Sequence, residues 1–157
     1  MPARKPWHVT NDSAPPTGLS DRTAQFRGFW RGFRYDVGMN TSIVLLDGPV
    51  ESEVSEPAAD RLVSGKPVTR VSNYFTDSTQ QFFAGRWSAT RGTWRVRYTE
   101  NELCVMTAGR VVIESDSGER NTFVSGDAFV VPAGFSGTWE VLEDCSKIYA
   151  IFEAKAG

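Results

Sequence analysis

The sequence predicts an all-β fold, a sandwich or barrel, and three observations predict it. Gly65, Gly85, Gly92, Gly109, Gly118, Gly126, Gly134 and Gly137 cut the chain into pieces of strand length. Those pieces favour Val, Ile, Phe, Trp, Tyr and Thr, the residues that pack well on a pleated surface. No stretch repeats its apolar residues with a helical period, whereas residues 93–102 alternate strongly.

Taken in chain order, residues 1–25 carry Pro2, Pro6, Pro15, Pro16 and Gly18 among polar residues and read as a flexible arm. Residues 26–60 read as an extension with one added strand. It opens on an aromatic and arginine run, Phe26 to Tyr35, expected to cover the barrel or a second subunit rather than nucleic acid. Thr41 to Leu46 is β-branched and apolar, ends before the turn signal Asp47-Gly48-Pro49, and is expected as an edge strand. Glu51 to Arg61 is polar and acidic and reads as a solvated loop. Residues 61–157 read as the domain proper. In Thr93 to Glu102, Trp94, Val96, Tyr98, Glu100 and Glu102 share the inward parity, and Arg95 and Arg97 face out. Arg110 to Ser115 and Asn121 to Val124 flank Asp116-Ser117-Gly118, a hairpin turn. Asp127 to Val131 stops at Pro132, and two further strands, Gly137 to Leu142 and Lys147 to Glu153, complete the series. Gly134-Phe135-Ser136-Gly137 is a turn, not a phosphate loop, because no helix follows it.

The 157 residues suffice for one domain, which at this size buries about 68–70% of its surface without staples. A net charge of −2 gives no reason to expect nucleic acid or an anionic membrane as partner. The basic start of the chain has no apolar run behind it and no window has the length of a spanning helix, so the expected location is the cytoplasm. Cys104 and Cys145 are expected as buried free thiols.

Two spaced motifs carry a family resemblance. In the first, Gly92, TWRVR, Tyr98-Thr99-Glu100, one residue, Glu102, LCVMTA and Gly109 follow each other; in the second, Gly126, DAFVV, Pro132-Ala133-Gly134, Phe135-Ser136 and Gly137 do. This frame resembles that of the cupin superfamily (RmlC-like), specifically the subfamily of ureidoglycine aminohydrolase and ethanolamine-utilisation cupins. The resemblance covers roughly residues 61–153. It implies a double-stranded β-helix, a jelly-roll barrel, in a bacterial cytoplasmic homodimer. Such barrels usually hold a metal with three imidazoles and one glutamate. Tyr98, Glu100 and Gly137 stand at the histidine positions, Glu102 alone keeps its identity, and the chain's sole histidine, His8, lies in the arm. The expectation is therefore no metal and no cofactor.

Glu100 and Glu102 are the candidates for acid–base chemistry, because two close carboxylates resist joint ionisation and one rises in pKa. Trp94, Tyr98, Cys104, Met106, Trp139, Lys147 and Tyr149 are the candidate pocket, a mix of aromatic walls and few polar groups suited to a small polar metabolite. Each has a plainer role: Trp94 and Trp139 as core, Lys147 as partner of Glu102 or Glu100, Cys104 as an inert thiol. Two rival functions follow. One is a metal-dependent aminohydrolase or lyase on a ureido-type compound, as the resemblance implies. The other is a non-catalytic dimeric interaction module, which a solidly filled barrel would favour.

Overall fold

The computed structural model describes residues 42–154. The readings of the arm 1–25, of the aromatic and arginine run 26–35, of Thr41 and of His8 lie outside the described residues. Among the described residues nine strands form: β1 Ser52–Ser55, β2 Leu62–Gly65, β3 Thr69–Thr76, β4 Phe82–Ala89, β5 Gly92–Arg97, β6 Asn101–Ser115, β7 Arg120–Val124, β8 Ala128–Val131 and β9 Ser136–Phe152. Among the described residues no helix is long and apolar enough to cross a membrane.

Every pairing is antiparallel, and β9 organises them. Along one edge its first half pairs β5, Trp94 opposite Trp139, and its second half pairs β4, Trp87 opposite Lys147. Along the other edge runs β6, Ile113 opposite Trp139 and Met106 opposite Lys147. β3 and then β1 extend the sheet beyond β4, β2 extends it beyond β5, and β7 and β8 line the far edge of β6. The curled sheet is the all-β barrel that the glycine punctuation predicts.

Two long strands had to bend for this. The sequence reads 137–142 and 147–153 as separate strands, because Glu143 and Asp144 interrupt the apolar alternation. The structure keeps them in one strand of 17 residues. Their carboxylates face out, Glu143 to Arg110 at 2.7 Å and Asp144 to the Arg91 amide at 2.9 Å. The bend is absorbed by irregular register in β6 between Met106 and Val111. There Gly109 has φ +78°, and a Cβ on it would stand 2.4 Å from the Asp144 carbonyl oxygen.

The N-terminal part differs from expectation. Residues 42–46 form no strand, and Ile43 and Leu45 are 94% and 76% exposed. This segment is held as a strap, by Arg86 Nε donating to the Leu46 carbonyl at 2.6 Å and the Tyr74 hydroxyl to that of Gly48 at 3.0 Å. The added strand is instead β1, inside the stretch read as a solvated loop. β1 joins β3 through backbone pairing and hydroxyl pairs, Ser52 with Ser72 at 2.7 Å and Ser55 with Thr69 at 2.9 Å.

Inward parity fills the core. Trp139 and Met106 are 1% exposed and Val111 0%, packed with Trp94, Val96, Val131 and Val141. Each large side chain so buried contributes about 1.5–3 kcal/mol. Trp87 meets Trp139 edge to face at 5.6 Å, and Phe123 stacks on Phe129 at 3.7 Å.

Candidate functional site

The inward alternation of residues 94–102 survives a break in the strand: β5 ends at Arg97 and β6 begins at Asn101, so Tyr98 and Glu100 sit in the turn and Glu102 on β6. All three are buried. Cys104 and Met106 continue the parity along β6, and the β6–β9 register sets Met106 against Lys147 and Cys104 against Tyr149. From there Lys147 reaches along the barrel. Its Nζ donates to Glu102 Oε1 at 2.8 Å and to Cys104 Sγ at 3.2 Å. The ammonium also lies over the Trp139 and Trp87 rings, 4.5 and 5.0 Å from their centroids. The two side chains of the ion pair are only 4% and 6% exposed.

The surroundings set the protonation states. Burial pulls the Lys147 ammonium down, but the sulfur of Cys104 and the carboxylate of Glu102 outweigh it and hold the group above its ordinary 10.5. Burial pushes the Cys104 thiol up to about 12, against the pull of Lys147. Burial, Glu102, Cys104 and Glu100 together push the Tyr98 phenol well above 10.0, and its hydroxyl is hydrogen-bonded to Glu102. Burial also raises Glu100, although its Oε2 accepts from the Thr99 amide at 2.8 Å and the Thr99 hydroxyl at 2.9 Å. Near neutral pH the centre therefore holds a protonated lysine, a neutral thiol and a neutral phenol. A thiol so raised is no nucleophile.

Of the residues singled out in the sequence, Tyr98, Glu102, Cys104, Met106, Trp139 and Lys147 come together. Trp94 and Trp139 are core, and Trp94 packs against Trp87 with centroids 6.3 Å apart. Tyr149 departs from the group: its hydroxyl crosses Gly85 and donates to Asn73 Oδ1 at 2.9 Å. Sequence reasoning missed Trp87 and Asn73. The alternation Phe83, Gly85, Trp87, Ala89 carries the signal for Trp87, because Phe83 and Ala89 are buried on that parity.

These residues do not fit a transition metal. Among the described residues no group of three His, Cys, Asp or Glu side chains lies close enough to hold one. At Gly137, the third histidine position of the motif, a Cβ would stand 2.0 Å from the Glu114 carbonyl oxygen, so no ligand side chain can grow there. The one retained acid, Glu102, already faces a cation supplied by the chain. Imidazole-poor donor sets also bind such metals weakly.

The model of the EutQ-like cupin domain family matches residues 76–149, a little under half of the chain. The barrel has the cupin fold. Among solved structures, the cupin is similar to a protein of unknown function of the DUF861 family from Pseudomonas syringae pv. tomato, at 25% identity and TM-score 0.61, covering 69% of this chain and 46% of that one. It is also similar to the EutQ protein of Clostridium difficile, at 20% identity and TM-score 0.51, covering 57% of this chain and 65% of that one. A putative ethanolamine utilization protein Q from Salmonella typhimurium matches at 13% identity and TM-score 0.52, covering 69% of this chain and 100% of that one. The cupin thus spans less than half of the Pseudomonas protein. No curated protein matches the sequence.

Proposed function

We propose that this cupin is a metal-independent, non-catalytic interaction module, whose barrel interior is a closed structural centre with the Lys147 ammonium in the role a metal plays elsewhere. The observation that carries this reading is the 2.8 Å contact of Lys147 with Glu102, sealed so that Trp94, Tyr98, Glu100, Cys104, Met106, Trp139 and Tyr149 are each at most 6% exposed. A barrel filled in this way leaves binding to the outside. The two end strands of the sheet path, β1 and β2, are short and carry exposed apolar side chains, Val54 at 50% and Val63 at 56%. A second copy of the chain covers such edges most economically, which makes the module a homodimer.

The second reading is a small polar metabolite bound in the barrel. Two buried polar atoms without a partner favour it, the acceptor Glu100 Oε1 and the donor Trp139 Nε1. A metal-dependent aminohydrolase or lyase finds no support in the donor set. One experiment separates the three: elemental analysis of tag-free protein together with a thermal-shift screen of sugars, amino acids and ureido compounds and light scattering for mass. The expected outcome is substoichiometric metal, no ligand shift and a dimer. A shift abolished in Glu102→Gln would establish the metabolite reading instead, and stoichiometric metal would overturn both.

A further inference from the structure

We propose that the outer face of the sheet formed by β3, β4, β9 and β6 carries a binding site for a small oxyanion, the phosphate or carboxylate group of a soluble ligand. A cleft of about 200 Å³ opens there, lined by Arg70, Ser72, Arg86, Ser88, Thr107 and Ser146, with Trp87 and Lys147 between them. The register explains why these residues meet. Arg70 lies opposite Ser88, and Ser88 opposite Ser146, so one row crosses three strands; Ser72 opposite Arg86 forms the next row. Neighbouring strands are about 4.8 Å apart and alternate residues share a face, so the two guanidinium groups enter the cleft from adjacent rows. The irregular register of β6 at Met106–Ala108 brings Thr107 to the same place, where its hydroxyl pairs with that of Ser146 at 2.7 Å.

The chemistry of the lining is one-sided. It contains two arginines and four hydroxyls and no carboxylate. Three other outward arginines have acidic partners: Arg95 faces Asp116, Arg110 faces Glu143, and Arg120 bridges Glu114 and Glu140. Among the described residues neither Arg70 nor Arg86 has an ion-pair partner. Arg86 is held by its Nε bond to the Leu46 carbonyl, which fixes the guanidinium plane at the rim. The two hydroxyls of the Thr107–Ser146 pair share one proton between them, so the other is left to donate outward. Arginine forks and convergent hydroxyl donors bind a tetrahedral or planar oxyanion and reject cations. By strand parity the side chains of Arg70, Ser72, Arg86, Ser88 and Ser146 alternate with the inward residues of β3, β4 and β9, Lys147 among them.

The test is a titration of the ¹⁵N-labelled full chain with inorganic phosphate and, separately, with acetate at constant ionic strength, following amide resonances by NMR. Saturable shifts at Ser72, Ser88 and Ser146 are expected with at least one anion. Phosphate alone would mark a phosphoryl ligand, and acetate alone a carboxylate ligand. Arg70→Gln, which removes no contact the fold uses among the described residues, should weaken binding about tenfold. Arg95→Gln should leave it unchanged. Absence of saturable binding of either anion, or binding unaltered by Arg70→Gln, overturns the proposal.

Discussion

Glu100 shows what a single buried carboxyl does to this protein. Its Oε2 is satisfied by Thr99, its Oε1 has no partner among the described residues, and burial raises its pKa above the ordinary 4.5. The folded state therefore binds this proton more readily than the unfolded chain does. Stability falls as pH rises from 4.5 through the raised folded value, because there the unfolded chain holds fewer protons than the native one. Lys147 acts with the same sign in a more alkaline window: held above 10.5, it contributes stability that is complete below that value and lost as pH rises through its folded pKa. Replacing Glu100 with Gln should remove the acid-side dependence and stabilise the protein at pH 7 by roughly 1 kcal/mol, while leaving it little changed below pH 4.5. Urea melts of both proteins across pH 4 to 8 check this, and parallel curves would refute it. At this scale inward parity offered Lys147 either Glu102 or Glu100 as partner, and the structure pairs it with Glu102. It could not find Tyr149, which shares the inward parity but bonds Asn73, 76 positions away in sequence. No local pattern announces a pairing that only the β3–β4–β9 register creates.

Individual elements were legible where an apolar alternation or a turn residue marked them. The β6–β7 hairpin is one case: Gly118 at φ +88° and the Glu114–Arg120 register match the reading of Asp116-Ser117-Gly118 as its turn. The strand β1 was not legible, because Ser-Glu-Val-Ser joins the sheet through hydroxyls and backbone and not through a hydrophobic face. The unity of β9 was hidden for a different reason. Its polar centre is tolerated because a bulge in another strand, at Gly109, takes up the bend. Gly137 shows how closely these strands approach. Gly137→Ala places a methyl against the Glu114 backbone and should cost roughly 3 kcal/mol, read from the midpoint of a urea melt. A loss below about 1 kcal/mol would mean that the β6–β9 contact relaxes freely.

At the scale of the whole molecule, glycines and one proline were enough to reveal a cupin, since they sit where turns and close strand contacts leave no alternative. The interior chemistry was less legible, because substituted ligand positions say what is missing and not what fills the space. The structure fills it with an ammonium from β9, a carboxylate from β6 and two indole faces. A buried ion pair of this kind need not add net stability, yet removing either partner alone leaves a charge stranded in a dry core. The central claim is that Lys147 and Glu102 form one structural unit in the barrel. It is tested most directly by a double-mutant cycle with Lys147→Met and Glu102→Leu, measured by chemical denaturation at pH 7. Each single variant should lose about 3–5 kcal/mol, whereas the double variant should stay within about 1 kcal/mol of the parent or exceed it. Single losses that simply add in the double variant would contradict it.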